Sequence, residues 1–358
     1  MNPNKVLNET YLHEAYTYHL TEPTFSRRVF TTRAIKAISS VTGLTIGQSF
    51  VIFNFLLLLL TGIIVGNTAL SLLQNLRKAL LGSLLFWLSF PVIFAFFPTI
   101  YSFDDPLLYF FLSLAILFLY RRKNRWSVVA FTGAVLARES AIILLPGIII
   151  YLSGGLKFIL IKQALKKWLP FALVSAIFIL GLVIWQYVLG QQSITADVNK
   201  RFTALHYNFQ NLQFSIETLF SFILVCSLAI ATWRDYKLFH LAKKAFFTTL
   251  VLNSIIVVLF TQARESRLFM LPLFFWFPIA GELLLRKLND LKQLLIYNKW
   301  FKSIVLITLA LFTGFVGFDI YQPTAMKPYE NWHQEYLFLL LTFTALMPYA
   351  TPPPIKKT

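Results

Sequence analysis

The amino-acid sequence predicts an all-α fold, a polytopic transmembrane helical bundle of about nine spans plus one re-entrant hairpin. Three observations carry that expectation. Apolar residues make up 57% of the 358 residues, with 37 Phe and 8 Trp, and mean hydropathy is +0.67; soluble globular chains have a different composition. Apolar runs near the ~20 residues that cross a bilayer recur along the chain. Basic residues gather in the short loops between those runs, which is the pattern of cytoplasmic loops in membrane proteins. That distribution makes the formal net charge of +17 a topology signal and argues against nucleic-acid binding.

Residues 1–45 are polar and aromatic and hold no apolar core of a cleavable signal peptide, so the first span is expected to direct insertion. They are read as an extracytoplasmic segment, 46–350 as the transmembrane domain and 351–358 as a cytoplasmic tail begun by Pro352-Pro353-Pro354. The expected spans are Phe50 to Leu73, Ala79 to Phe97, Pro106 to Tyr120, Leu169 to Tyr187, Phe214 to Trp233, Ala245 to Phe260, Leu268 to Leu285, Ile304 to Tyr321 and Glu335 to Tyr349. The run from Pro106 is short: as a helix it covers only about 22 Å of an apolar core roughly 30 Å thick. The Asp104-Asp105 pair ahead of it is therefore drawn toward the outer membrane edge.

Trp126 to Leu152 is long for one span yet carries Arg138-Glu139 at its centre and Pro146-Gly147 beyond. It reads as two half-helices meeting at Arg138, entering from and returning to the cytoplasm. Irregular backbone is tolerated at membrane depth where it lines a protein cavity. In the rival topology the segment crosses fully, and Arg121, Arg122, Lys123 and Arg125 then fall outside, directly abutting two spans, where basic residues are hard to translocate. Lys157 to Trp168 alternates lysines with apolar residues and is expected to be a helix lying in the cytoplasmic interface.

Two Arg-Glu-Ser runs, Arg138-Glu139-Ser140 and Arg264-Glu265-Ser266, interrupt apolar sequence. Ionised side chains at membrane depth are costly unless they pair or face water, and so mark functional cavities. The plain alternative is that Arg138 pairs with a neighbouring acid and locks helices together. A carboxylate near the outer edge can deprotonate a hydroxyl acceptor or hold a divalent metal, and Asp105, Asp104 and Glu14 are the candidates. Arginines beside it, Arg138, Arg264, Arg267, Arg27 and Arg28, suit a lipid-linked phosphate because the guanidinium fork matches phosphate oxygens. Glu139 joins that binding set. The same constellation would serve a non-enzymatic transporter or flippase for a lipid-linked or anionic solute, or a structural subunit of an envelope complex.

No metal-ligand motif stands out, so a metal cofactor is left open: the five histidines are scattered, and the one Glu-x-x-His, Glu330 to His333, falls in an expected loop. The single cysteine, Cys226, excludes an intrachain disulfide. With neither a Gly-rich phosphate loop nor Gly-x-Ser-x-Gly, cytoplasmic nucleotide chemistry is not expected.

Phe103-Asp104-Asp105-Pro106 opening a short span, the basic Arg121 to Arg125 turn, and Leu136-Ala137-Arg138-Glu139-Ser140 followed by Leu144-Leu145-Pro146 resemble bacterial integral-membrane glycosyltransferases of the GT-C type. Arg264-Glu265-Ser266-Arg267-Leu268 with Leu271-Pro272 is similar to a second recurring element there, and the match covers roughly residues 14 to 285. The resemblance implies a polyprenyl-phosphate sugar donor, catalysis at the extracytoplasmic face of the bacterial inner membrane, membrane lipids as surroundings, and a first-loop acid as base. That acid would be Glu14 in His13-Glu14-Ala15-Tyr16, with Arg27-Arg28 in the basic stretch before the next span. The chain departs from the pattern there, with Glu in place of Asp and no span within residues 1–45 ahead of that loop.

Overall fold

The computed structural model describes residues 8–21, 28–96, 103–155, 158–188, 203–233, 239–261, 263, 266–297, 300 and 304–305, and among them the fold is all-α. Among the described residues three helices are long and apolar enough to cross a membrane: Ile46–Leu73, Lys162–Ile184 and His240–Phe260. Asp105–Tyr120 and Glu139–Ser153 are apolar but shorter. The expected span Ile304 to Tyr321 beyond its first two residues, the whole of Glu335 to Tyr349, the tail and Glu330 to His333 lie outside the described residues.

Residues 1–45, read from sequence as an extracytoplasmic segment, contain two helices, α1 (Glu9–Thr21) and α2 (Val29–Thr42). Leu12, Ala15, Tyr16 and His19 recur at helical spacing and are buried, and Leu12 and Tyr16 form a small core with Ile35, Phe50 and Phe103. The apolar face of α1 is thereby pinned to α3 (Ile46–Leu73), the first long helix. Thr45 caps α3 through a capping box with Gln48. Glu9 adds an anion there, accepting from the Gly47 amide at 3.0 Å and the Thr45 hydroxyl at 2.6 Å, where the helix dipole favours negative charge.

Beyond α3 the chain turns through Gln74 and Asn75 into α4 (Leu76–Trp87), a break, and then α5 (Phe90–Phe96). The single span expected from Ala79 to Phe97 is thus corrected to two pieces. Pro91 is the cause: it has no amide hydrogen, and its ring would collide with the carbonyl four residues back, at Trp87. Asp105 then opens α6 (Asp105–Tyr120), with Pro106 in its first turn. A tight corner follows, in which Arg122 takes a positive φ of 58° and the Lys123 amide donates to Phe118 O at 2.8 Å. α7 (Asn124–Ala137) returns along α6, joined by the Ser127 hydroxyl donating to Ala115 O at 2.7 Å.

At Arg138 the backbone is extended (φ −160°, ψ 129°), and Glu139–Leu144 continues as a 3-10 segment before α8 (Leu145–Ser153). The chain doubles back here. The Tyr151 ring near the end of α8 lies 5.2 Å from that of Tyr120, which sits beside the start of α7, and Tyr120 also donates to Phe275 O at 3.1 Å. Arg138 is the far point of that excursion. Gly147 lets α8 lie against α11 (His240–Phe260): a Cβ there would come within 2.9 Å of Ala245 O and 2.8 Å of the Phe275 ring.

The separate interfacial helix expected from Lys157 to Trp168 is also corrected. Lys162, Lys166 and Lys167 belong to the opening turns of α9 (Lys162–Val188). The turn ahead of it is tied down by Trp168 Nε1 donating to Ile159 O at 3.0 Å; Lys157 is outside the described residues. α10 (Leu212–Trp233) and α11 cover the apolar runs expected at Phe214 to Trp233 and Ala245 to Phe260. Leu268 to Leu285 is not one helix. Ser266–Phe269 and Leu271–Phe275 form 3-10 segments, and α12 (Phe277–Tyr297) begins only afterwards. Pro272 and Pro278 remove two backbone donors from that stretch, which fits its irregular path. The core is made of these broken elements: Phe269, Met270, Phe274, Phe275 and Phe277 are all almost fully buried.

Candidate functional site

Four chain breaks deliver charge to one place. Asp104 and Asp105 come from the start of α6, and Arg138 and Glu139 from the extended joint between α7 and the 3-10 segment. Arg28 precedes α2, and Arg267 lies in the segment Ser266–Phe269. A helix start leaves backbone N–H groups unpaired and carries a partial positive charge, so the position itself favours the two aspartates.

The pairing is specific. Arg138 Nη1 donates to Asp105 Oδ1, and Arg267 Nη1 donates to Asp105 Oδ2 at 2.6 Å. Arg28 grips Glu139 with two donors, Nε to Oε2 at 3.0 Å and Nη2 to Oε1, and reaches Asp104 Oδ2 with Nη1 at 3.5 Å. The pairs form two groups, Arg138–Asp105–Arg267 and Glu139–Arg28–Asp104, held side by side by the chain neighbours Asp104-Asp105 and Arg138-Glu139. Asp104, Asp105 and Arg267 are buried, and Glu139 is the most open of the set, its side chain 28% exposed. Burial pushes the Asp104 carboxyl up to about 6 against the opposing pull of Arg28.

A cavity of about 310 Å³ opens beside this network, at the lower end of small-molecule pockets and with room for one compact head group. Arg28, Asp105, Arg138, Glu139 and Arg267 line one part of it. Leu108, Ile143, Ile256, Val257, Leu268 and Leu271 supply an apolar wall. Tyr109, Asn253, Ser140 and Thr261 add uncharged polar groups.

Of the residues singled out from sequence, Asp105, Arg138, Glu139, Arg267 and Arg28 share the cavity, and Asp104 stands behind Arg28. Glu14 does not join them. It lies on the exposed side of α1, opposite the face that packs on α3, and is not among the cavity-lining residues. Arg27 and Arg264 are outside the described residues. α1 bears on the site in another way. The His19 ring stacks on Phe103 at 3.8 Å and 18°, which fixes the residue preceding the Asp104-Asp105 pair. Among the described residues no cluster of three or more His, Cys, Asp or Glu side chains could hold a metal ion.

Sequence reasoning missed Tyr109 and Asn253. The signal for Asn253 was present, as a carboxamide inside the apolar run Ala245 to Phe260. Tyr109 follows Asp105 by one helical turn, hence on the same face of α6. Asn208, at the end of a short helical stretch over 203–208, was missed too. Its side chain bonds Val258 O, Thr261 O and the Ala263 amide at 2.9, 2.8 and 3.0 Å, fixing the loop that leads to Arg267.

No protein-family model, curated protein or solved structure matches the chain.

Proposed function

We propose that the chain is a membrane glycosyltransferase that moves a sugar from a lipid-phosphate donor to an acceptor at the extracytoplasmic face of the bacterial inner membrane. One observation carries this reading. The cavity joins three arginines and two carboxylates to an apolar wall, the division of chemistry that a phosphate on a hydrocarbon chain requires. Within it, about nine spans cross the bilayer, and Trp126 to Leu152 enters and leaves on the cytoplasmic side with Arg138 at the tip. The lipid would lie along Leu108, Ile143 and Ile256.

The ion pairs suggest how donor binding and catalysis are coupled. Arg138 and Arg267 each direct a donor at Asp105. A phosphate dianion or diester arriving between them competes for the same guanidinium groups and loosens one Asp105 oxygen. That oxygen accepts the proton of the acceptor hydroxyl as the hydroxyl oxygen bonds to the sugar's anomeric carbon. The bond from that carbon to phosphate breaks, and the lipid phosphate leaves with the electron pair, its charge stabilised by the arginines.

The completeness of the pairing also favours a second reading, in which the charges only lock helices together. Arg138→Lys separates the two, because lysine keeps the charge and loses the fork. Turnover of a polyprenyl-phosphate sugar is expected to fall about tenfold or more while the yield of folded protein stays near wild type. Equal loss of folded protein in Arg138→Lys and Arg138→Ala would establish the structural lock.

A further inference from the structure

Two buried polar atoms on the cavity wall take no part in the ion-pair network. Asn253 is fully buried on α11, about 10 Å below its end at Phe260 by helical rise. Its Nδ2 donates to Leu268 O at 3.0 Å, which fixes the carboxamide plane. Its Oδ1 has no partner among the described residues. Tyr109, 1% exposed on α6, has its ring 5.7 Å from Phe274 and a hydroxyl that is likewise unpartnered among the described residues. Both residues line the cavity.

Leaving a buried polar atom unpaired costs the full desolvation of that group, and in a membrane helix no solvent offsets it. Phenylalanine at 109 or leucine at 253 would remove that cost. The two groups also have a definite chemical requirement. Asn253 Oδ1 can only accept, so it calls for a hydroxyl or N–H donor, and the Tyr109 hydroxyl can donate or accept. An ionised phosphate on a polyprenol offers no donor. A polyol head group offers several.

We propose that Tyr109 and Asn253 form a hydroxyl-recognition subsite that reads the uncharged head group of a ligand whose phosphate the arginines hold. The inference rests on the lipid-phosphate reading above and adds to it the residues that distinguish a sugar-bearing donor from bare lipid phosphate. Tyr109→Phe is the cleanest probe, because it deletes an atom that holds no partner among the described residues and so leaves their packing intact. Asn253→Leu is the second variant, with thermal unfolding recorded alongside because it also breaks the bond to Leu268.

The experiment is equilibrium binding to the purified full chain in detergent, with undecaprenyl phosphate and its glucosyl phosphodiester as the two probes. Wild type is expected to bind the glucosyl form more tightly. Tyr109→Phe should lose about tenfold in affinity for the glucosyl form, one hydrogen bond's worth, and bind the bare phosphate within twofold of wild type. Equal losses for both probes, or none for either, would overturn the subsite while leaving the lipid-phosphate reading standing. If wild type binds neither probe, that reading fails and the subsite fails with it.

Discussion

At Asp104, burial and ion pairing pull in opposite directions, and burial wins: the carboxyl rises from 3.8 to about 6. A folded value above the unfolded one means that protonation favours the fold. That contribution is fully present below about pH 4 and is lost as pH rises through about 6, a swing of about 3 kcal/mol. Asp104→Asn, which mimics the protonated acid, should therefore unfold with a stability that falls less between pH 4 and 7 than wild type in detergent. Parallel pH profiles for the two proteins would remove Asp104 as the titrating group. The charges that meet at the cavity, Asp104, Asp105, Arg138, Glu139, Arg28 and Arg267, are all among those singled out from the sequence. The sequence could not assign partners. Arg138 and Arg267 reach Asp105 across 33 and 162 positions, and only packing decides which guanidinium meets which carboxylate. Glu14 was misplaced for a related reason. The spacing of Leu12, Ala15, Tyr16 and His19 marks an amphipathic helix, and Glu14 falls on its solvent side.

The elements that build the site are the interrupted ones. Leu88–Ser89, Arg138 and residues 268–276 are all places where a long apolar run fails to stay helical, and two of the three contribute side chains to the cavity. Proline marks the first and third in the sequence, and the adjacent charges Arg138-Glu139 mark the second. Apolar length alone hides such breaks, which is why Ala79 to Phe97 and Leu268 to Leu285 read as single spans. The doubling back at Arg138 rests on Tyr120 meeting Tyr151 and on the glycine contact of α8 with α11. Reporter fusions after Arg125 and after Lys167 test its orientation in the cell. Both are expected to report the cytoplasm, and opposite locations for the two would show a full crossing instead.

Across the whole molecule, the basic turns lie apart from the paired charges at the cavity. The basic turn at Arg121 to Arg125, the lysines opening α9, and Lys243 and Lys244 near the start of α11 cluster at helix ends remote from Arg138. The acids Asp104, Asp105 and Glu139 are spent on arginines at the cavity. In the proposed function this division lets the loops set topology, and the paired network at the other end meets an anion able to compete for the guanidinium groups. Turnover of a polyprenyl-phosphate sugar by purified protein in liposomes, comparing wild type with Asp105→Asn, tests this most directly. The amide keeps the size of Asp105 and cannot take up the acceptor's proton, so turnover should fall by about 10²- to 10⁴-fold with donor still bound. No turnover by wild type with any lipid-linked sugar, or wild-type turnover by folded Asp105→Asn, would contradict the account.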